Sequence, residues 1–181
     1  SEIETAIKCN VKNAYMFLPS SDLHLKHKFN MTREMATKQA VECAELGRLQ
    51  GLNIDFIAED SSRSDVKYLS ELATNLHTVG VRRFIITDTV GVMTPYAIAS
   101  FVRAFKKDAP KTLELGIHCH NDFGLATANT LAACLEGVKY PTLTVNGIGE
   151  RAGNAAMEEV SFALEKLAGI KTGIDLKKLY A

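Results

Sequence analysis

Two histidines and an Asn-Asp pair stand together in the stretch GIHCHNDFGLATANT, from Gly116 to Thr130. An apolar run leads into this stretch and an alanine-rich run leads out of it, which indicates the end of a strand. Because residues i and i+2 of a strand point to the same face, His118 and His120 are expected to project together. Imidazole is the commonest metal ligand in proteins. For this pair alone, two separately hydrogen-bonded histidines are the commoner explanation. The oxygen and nitrogen side chains that follow the other predicted strands favour a divalent-metal site instead.

A second stretch that could do chemistry is NGIGERAGNAAMEEV, from Asn146 to Val160. Its glycines, Gly147, Gly149 and Gly153, permit positive φ angles and close backbone approach. The stretch runs directly into a predicted helix, so its backbone N–H groups could meet an anion or a carbonyl oxygen. Many glycine-rich turns serve packing only, and this one has no lysine of the kind that a phosphate-binding P-loop carries.

Composition limits the classes of partner. The chain has 181 residues, with 21 Lys+Arg and 21 Asp+Glu, so its net charge is near zero. That balance argues against nucleic acid or an anionic membrane surface as the main partner. No apolar run approaches the roughly 20 residues of a membrane span, and the N-terminus does not resemble a signal peptide. We therefore expect a cytoplasmic protein with free thiols at Cys9, Cys43, Cys119 and Cys134.

Short apolar runs alternate with helical patterns along the whole chain. The predicted strands are Asn13–Leu18, Asn53–Ala58, Arg82–Thr87, Thr112–His118 and Thr142–Val145. The first two predicted helices run from Thr32 as N-cap to about Leu49 and from about Asp65 to Val79. The third begins at Thr94-Pro95, the fourth ends at about Gly137, and the fifth runs from about Ala155 to Ala168. No flexible linker interrupts the series, which indicates one domain.

Five β-α units imply a parallel sheet, because parallel neighbours need a crossover connection. The number of units favours an open doubly wound sheet, since a full barrel has eight units. The polar residues favour a barrel, because they follow every predicted strand and not one switch point. These residues are Ser20, Ser21, Asp22 and His24; Glu59, Asp60 and Arg63; Asp88 and Thr89; His118, His120, Asn121 and Asp122; and Asn146, Glu150, Arg151 and Asn154. We therefore predict an α/β fold that is part of a TIM (β/α)8 barrel.

The two chemical stretches resemble the metal-dependent Claisen condensation family of barrel enzymes, which includes homocitrate synthase, 2-isopropylmalate synthase and citramalate synthase. Three further blocks, FLPSSDLHLKHKF, AEDSSRSD and ITDTVGVMTP, are similar to blocks of the same family in the same order. The resemblance extends over nearly the whole chain. It implies that residues 1–181 are a portion of one catalytic domain, corresponding to the C-terminal part of the barrel.

The resemblance also implies roles for individual residues. His118 and His120 are implied ligands of a divalent cation (Zn, Mn, Co or Mg), with Asn154 on or near the metal. His24 and Glu59 are implied to be catalytic residues that bind substrate, and Thr89 to contact substrate. The implied supporting loop residues are Asn121, Asp122, Gly147, Gly149, Glu150 and Arg151.

The implied activity is an acyl transfer in which acetyl-CoA condenses with a 2-oxoacid to give a 2-hydroxy diacid. The metal would bind the 2-oxoacid and stabilise the alkoxide that forms. The intact enzyme is expected to be a homodimer. The sequence GLATANT is more similar to homocitrate synthases, whereas Ile57 stands where the family commonly has a small or hydroxyl-bearing residue, so the identity of the 2-oxoacid stays open.

Two departures from the family keep alternatives open. The family's first strand carries an Arg and a metal-binding Asp, and no such block is present here. We therefore expect that the N-terminal strands and a C-terminal accessory region are absent, and that this chain alone is inactive. The related lyase that cleaves hydroxymethylglutaryl-CoA usually has a cysteine in the glycine-rich loop, which here reads NGIGERAGN. The alternatives are a non-catalytic partial barrel or a related acyl-CoA lyase or aldolase.

Overall fold

The structure, a computed structural model, describes residues 2–179. The chain divides into two compact units, each of which draws on two stretches of sequence. The first unit comprises Ser1–Thr87 and Ala104–Leu115, and the second comprises Asp88–Arg103 and Gly116–Ala181. In the described part of the chain, no helix has the length and apolar character that crossing a membrane would need.

Five strands alternate with helices, as the sequence predicts. They are β1 (Asn13–Pro19), β2 (Asn53–Glu59), β3 (Arg83–Asp88), β4 (Glu114–Cys119) and β5 (Tyr140–Thr142). Their order in the sheet follows the order of the chain, β1-β2-β3-β4-β5. The pairs β1–β2, β2–β3 and β4–β5 are parallel, with Pro19 opposite Glu59 in the first pair.

The described residues also form α-helices between and around these strands. They are α1 (Glu2–Lys8), α2 (Asp22–His24), α3 (Arg33–Leu49), α4 (Val66–Thr78), α5 (Pro95–Asp108), α6 (Ala126–Leu135) and α7 (Met157–Lys166). The short helix α2 continues into a π-helical turn at Leu25–Phe29. Single turns of 3-10 helix lie at Ser61–Arg63, Val145–Gly147 and Leu176–Lys178.

Side-chain caps fix the starts of three helices where the sequence predicts them. The Thr32 hydroxyl accepts a hydrogen bond from the N–H of Met35, and the Asp65 carboxylate accepts one from Tyr68. Thr94 caps α5 through the N–H of Ala97. Each cap satisfies one of the backbone donors that a helix N-terminus leaves unpaired, so local sequence decides where α3, α4 and α5 begin.

The core of the first unit packs helices on one face of β2. Phe56 is fully buried, and its ring centroid lies 5.5 Å from that of Phe84, which in turn lies 5.4 Å from that of Phe105. A Cβ atom at Gly47 would lie 2.4 Å from Cδ1 of Ile54, so glycine is what allows α3 to approach β2 this closely.

The core of the second unit forms around β4. Ile117 and Cys119 of this strand are fully buried, as are Ala133 of α6 and Val160 of α7. Cys119 is a free thiol, like the buried Cys134, the partly buried Cys43 and the exposed Cys9. The free-thiol prediction agrees with this state of the four cysteines.

The structure corrects the predicted elements near the C-terminus. The fifth strand was expected at Thr142–Val145 but lies at Tyr140–Thr142. The chain turns at Val145–Gly147, where Asn146 has a left-handed φ of 58° that a continuing strand does not adopt. Helix α7 begins at Met157, later than expected, because Ala156 is extended and forms a β-bridge with Thr144. Helix α1 was not predicted.

Candidate active site and metal centre

The side chains that the sequence singles out lie at or just beyond the carboxyl ends of strands. His24 ends α2, which follows β1, and Glu59 is the last residue of β2. Both belong to the first unit. The second unit holds Thr89 after β3, His118 in β4, His120 directly after β4, and Asn154 before α7. The structure thus groups these residues into two sets, and the expectation that all of them share one rim stays a prediction.

The first unit surrounds one histidine with charged side chains, and we call these residues the histidine–glutamate cluster: His24, Lys28, Glu59, Asp60 and Arg63. Nδ1 of His24 lies 3.0 Å from Oε1 of Glu59, and Nζ of Lys28 lies 2.8 Å from the same oxygen. Only 16% of the Glu59 side chain is exposed. The cluster therefore fixes a carboxylate between an imidazole and an ammonium group.

A buried carboxylate supports the other side of this cluster. Asp60 is fully buried and adopts a left-handed φ of 63°. Nε of Arg63 donates to both of its oxygens, at 2.8 and 3.1 Å, and the hydroxyl of Ser21 donates to Oδ2. Sequence reasoning placed Ser21, Asp60 and Arg63 after strands but gave them no role, and it did not single out Lys28 in the π-helical turn.

The second unit brings two histidines and an asparagine together, and we call them the paired-histidine cluster: His118, His120 and Asn154. Nδ2 of Asn154 lies 3.3 Å from Nε2 of His118 and 3.3 Å from Nδ1 of His120. The two rings meet edge to face, with centroids 4.9 Å apart. Because an amide nitrogen only donates, both ring nitrogens act as acceptors, and their lone pairs converge on one point.

Both histidines are biased toward the neutral form. Burial lowers the pKa of His118, and the charge of His120 lowers it further. Burial also lowers the pKa of His120, followed by the positive charge of Arg151. Nδ1 of His118 is buried without a hydrogen bond of ordinary geometry, although the backbone of Thr142 is near enough to oppose the shift. Neutral imidazole is the form that binds a metal.

Glycines hold the asparagine in place. A Cβ atom at Gly149 would lie 1.8 Å from Oδ1 of Asn154, so the amide occupies the space that any larger residue would fill. Gly153 also lies close to the neighbouring backbone, since a Cβ added to it would be 2.2 Å from the carbonyl oxygen of Gly147. That same carbonyl accepts a hydrogen bond of 2.9 Å from the N–H of Asn154. The glycine-rich stretch therefore folds back on itself around one side chain.

An arginine ties together three loops of the second unit, and we call the contacts of Arg151 with Asp122 and Thr89 the arginine clamp. Nε and Nη2 of Arg151 each donate to one oxygen of Asp122 at 2.8 Å, and Nη2 also donates to the carbonyl of Thr89 at 2.8 Å. The hydrogen bonds from Arg151 hold the pKa of Asp122 below its ordinary value. The clamp connects the segments that follow β3, β4 and β5.

The other predicted loop residues have different roles. Oδ1 of Asn121 accepts a hydrogen bond of 3.1 Å from the N–H of Ala126, at the start of α6. The N–H of Asn121 donates to the carbonyl of Gly153 at 2.9 Å. Glu150 is mostly in solvent, with 78% of its side chain exposed and a distance of 3.7 Å to Nη1 of Arg151. Asn121 therefore positions the loop, whereas Glu150 contributes little to its geometry.

The paired-histidine cluster fits part of the coordination sphere of a divalent metal. It offers two neutral nitrogens, and rotation of the Asn154 amide would turn its oxygen toward the same point. In the described part of the chain, no three residues of the His, Cys, Asp and Glu types converge on a common point. The donor set is therefore two imidazoles and one amide, which leaves coordination positions for substrate oxygens or further ligands.

The fold defines a class, the proteins built on a TIM barrel. The chain superposes on the crystal structure of hydroxymethylglutaryl-CoA lyase from Pseudomonas aeruginosa with a TM-score of 0.85 and 26% identity, over 97% of this chain and 62% of the lyase chain. The HMG-CoA lyase structure from Bacillus subtilis matches with a TM-score of 0.84 at 22% identity, over 98% of this chain and 63% of that chain. The predicted partial barrel is thereby confirmed, and the open doubly wound sheet is excluded.

Sequence comparison identifies the family of this chain. The HMGL-like family model matches residues 1–181, and the chain belongs to this family. It is 44% identical to a protein of Ignicoccus hospitalis named "Probable 2-isopropylmalate synthase", over 99% of this chain and 45% of that protein. It is 42% identical to a homocitrate synthase of Methanopyrus kandleri, over 98% of this chain and 44% of the relative.

A third kind of relative is similarly close. An (R)-citramalate synthase of Methanocaldococcus jannaschii is 41% identical, over 99% of this chain and 36% of that protein. The chain therefore spans less than half the length of the curated relatives it matches. The identities to proteins named for three different products, 44%, 42% and 41%, are too similar to select one.

Proposed function

We propose that this chain is part of an acyltransferase that condenses acetyl-CoA with a 2-oxoacid to give a 2-hydroxy diacid. The observation that carries the proposal is the paired-histidine cluster, in which two neutral imidazoles direct their lone pairs to one point. The relatives named homocitrate, 2-isopropylmalate and citramalate synthase support the reaction class. They are longer proteins, so the activity is proposed for the full-length protein.

In this proposal, His118, His120 and Asn154 hold a divalent metal. When bound there, the ion supplies Lewis-acid stabilisation of the oxyanion that forms from the keto group of the 2-oxoacid. Burial around His118 keeps the nitrogen ligand neutral, and the glycine-rich stretch fixes the amide of Asn154. The arginine clamp holds the loops that carry these ligands.

His24, Glu59 and Thr89 are proposed to orient the 2-oxoacid. The Glu59 carboxylate is held by His24 and Lys28, so its position is set before substrate binds. Such preorganisation is what makes fixed polar groups effective in an active site. Thr89 offers a hydroxyl close to the end of β3, while its carbonyl is bound by the arginine clamp.

The residues beside Glu59 favour a 2-oxoacid with a short apolar side chain. Ile57 lies two positions before Glu59 in β2 and therefore shares its face. In the register of the sheet, Ile57 is opposite Phe17 of β1 and Ile85 of β3, and 64% of Phe17 is exposed. An apolar row stabilises an apolar substituent by roughly 25 cal/mol per Å² of buried surface, and it would leave a second carboxylate without a partner.

A substrate screen tests the proposal. The full-length protein is incubated with acetyl-CoA, a divalent metal and one of four 2-oxoacids: pyruvate, 2-oxoisovalerate, oxaloacetate or 2-oxoglutarate. We expect acetyl-CoA-dependent thiol release with pyruvate or 2-oxoisovalerate, and Ile57→Ser is expected to narrow the preference for them over 2-oxoglutarate. Release of coenzyme A with none of the four would reject the acyltransferase proposal.

A lyase is the second candidate, because the solved structures described above are HMG-CoA lyases. Such a lyase usually carries a cysteine in the glycine-rich loop, and here residues 146–154 contain none. The nearby cysteines do not replace it, since burial raises the pKa of Cys119 to about 12 and that of Cys134 to about 11. Cleavage of hydroxymethylglutaryl-CoA by the full-length protein would favour the lyase.

A further inference from the structure

We propose that Arg63 is a positioning residue that holds His24 in the tautomer protonated on Nδ1. A guanidinium group has N–H donors and no acceptor. Nη2 of Arg63 lies 3.2 Å from Nε2 of His24, so Nε2 must present its lone pair to the arginine.

The other ring nitrogen then carries the proton. Nδ1 of His24 lies 3.0 Å from Oε1 of Glu59, and a carboxylate oxygen accepts a hydrogen bond. The two contacts agree on one tautomer, in which Nδ1 donates to Glu59 and Nε2 accepts from Arg63. A doubly protonated ring would turn a second N–H toward the guanidinium, which places two donors and two positive charges face to face.

A buried anchor sets the position of Arg63. Its Nε binds both oxygens of Asp60, at 2.8 and 3.1 Å, and Asp60 is fully buried. The hydroxyl of Ser21 donates to the same carboxylate. The guanidinium is thus held by its Nε edge and reaches His24 with Nη2. A single arginine therefore connects a buried carboxylate to the imidazole.

The charges that face His24 are Glu59, Asp60, Arg63 and, through Glu59, Lys28. Oδ2 of Asp60 lies 3.7 Å from Nε2 of His24. With Arg63 in place, the two cations offset the two carboxylates. Without Arg63, the ring would lie between two carboxylates with one cation fewer, and both of its nitrogens would be drawn to donate. Removal of the arginine is therefore expected to free Nε2 to donate toward Asp60.

The role of this tautomer in catalysis rests on the function proposed above. Because the lone pair of Nε2 accepts from Arg63, His24 keeps its N–H on Glu59. The donor to the Glu59 carboxylate therefore stays in place while that carboxylate orients the 2-oxoacid. Arg63 thus acts on the reaction through the orientation of His24 and Glu59.

Imidazole nitrogen NMR tests the tautomer directly. The full-length protein is labelled with 15N-histidine, and the His24 signals are assigned by their loss in His24→Gln. At pH 7.5 we expect Nδ1 of the wild type to be protonated and Nε2 to be unprotonated. In Arg63→Met, Nε2 has lost the donor that faces it, and signals of a ring protonated on Nε2 are expected to appear at the same pH. Arg63→Lys is the second variant if Arg63→Met fails to fold, because its one amino group cannot bind Asp60 and His24 in the arginine's geometry.

Arg33→Met is the matched control. Arg33 forms a bidentate pair with Asp22 at 2.7 Å for both contacts, so the variant removes an arginine–aspartate pair from the same unit. The His24 signals are expected to stay as in the wild type. A protonated Nε2 in the wild type, or wild-type His24 signals in both Arg63 variants, would overturn the assignment.

Steady-state kinetics test the role in the reaction. Because Nε2 of His24 is no longer held as an acceptor without Arg63, kcat/KM of Arg63→Met is expected to fall by about 10-fold or more, whereas that of Arg33→Met should stay close to the wild-type value. A changed tautomer with an unchanged kcat/KM would overturn the catalytic role. Absence of acetyl-CoA-dependent turnover in the wild type would instead count against the proposed function, and the NMR result would still decide the tautomer.

Discussion

In the histidine–glutamate cluster, both ring nitrogens of one histidine face charged side chains, whereas in the paired-histidine cluster the ring nitrogens of two histidines face one neutral amide. His24 lies between the carboxylate of Glu59 and the guanidinium of Arg63. His118 and His120 are instead shifted by burial, and no carboxylate is within hydrogen-bond distance of either ring in the contacts described above.

This difference shows two ways in which a protein sets the state of an imidazole. Charged partners decide which nitrogen donates and which accepts, and they suit a histidine that orients a substrate or moves a proton. Burial disfavours the second proton on each ring, which leaves one lone pair per ring that a cation can use.

Replacement of a metal-facing histidine should have the largest effect. In the full-length protein, His118→Ala removes one of two neutral nitrogen donors, and we expect divalent-metal affinity to fall by more than about 100-fold, since even outer partners of ligands cost about 10- to 100-fold. Isothermal titration calorimetry measures the affinity. The control is His77→Ala, because His77 is hydrogen-bonded to Val81 and Thr112. Equal affinity in the two variants would make His118 structural.

The second-largest effect is expected at Gly149, whose lack of a side chain leaves room for the Asn154 amide. Gly149→Ala places a methyl group where Oδ1 of Asn154 now lies, so the amide must move away from the two rings. We expect metal affinity to fall by about 10- to 100-fold. Gly169→Ala is the control, because Gly169 has a positive φ of 67° and nothing within 4 Å of the added Cβ. If Gly149→Ala binds metal like Gly169→Ala, the amide does not contribute to binding.

Loosening of the arginine clamp should have a smaller effect. Arg151→Lys keeps the positive charge but cannot bind both oxygens of Asp122 and the carbonyl of Thr89. We expect about a 10-fold loss of metal affinity, with faster backbone hydrogen exchange in the loop after β4. Glu150→Gln changes the neighbouring, solvent-exposed carboxylate and should match the wild type. Backbone hydrogen exchange as slow as in the wild type would show that the loops of Arg151→Lys keep their structure without the clamp.

The smallest effect concerns pH. In the folded protein, the pKa of His118 lies below its ordinary value of 6.5. As the pH falls below about 6.5, this histidine therefore binds a proton more readily in the unfolded chain than in the native state. Stability of the metal-free protein should therefore decrease on acidification, by at most about 1.4 kcal/mol per pH unit for this group. Thermal melts between pH 7.5 and 5 measure the slope. It should be shallower in His118→Gln, and equal slopes would mean that burial does not disfavour the charged ring.

Much of the fold is predictable because its signals are local. The hydrophobic periods and the caps at Thr32 and Asp65 lie within a few residues of the elements they define. The fifth strand was misplaced because Asn146 adopts a left-handed conformation that is stabilised by a contact far along the chain, where its N–H donates to Glu158 at 3.1 Å. Helix α1 buries none of its residues, and its 7 residues are too few for the apolar positions Ile3, Ala6 and Ile7 to establish a helical period.

The candidate site likewise has a local part, which the sequence predicts, and a long-range part, which it does not. The shared face of His118 and His120 follows from a separation of two residues in one strand. The contact between His24 and Arg63 joins residues 39 positions apart and depends on the register of β1 against β2 and on the left-handed backbone of Asp60. Neither the register nor the backbone conformation can be derived from composition or period, so this contact is known only from the structure.

The buried thiols of the second unit have a practical consequence for chemical labelling. A disulfide reagent reacts with thiolates, and burial raises the pKa of Cys119 to about 12 and that of Cys134 to about 11. These two cysteines should therefore stay unmodified at mildly alkaline pH, while the exposed Cys9 reacts first and Cys43 more slowly. A maleimide fluorophore added at low stoichiometry would consequently mark the N-terminal region of this chain and leave the strand that carries His118 untouched.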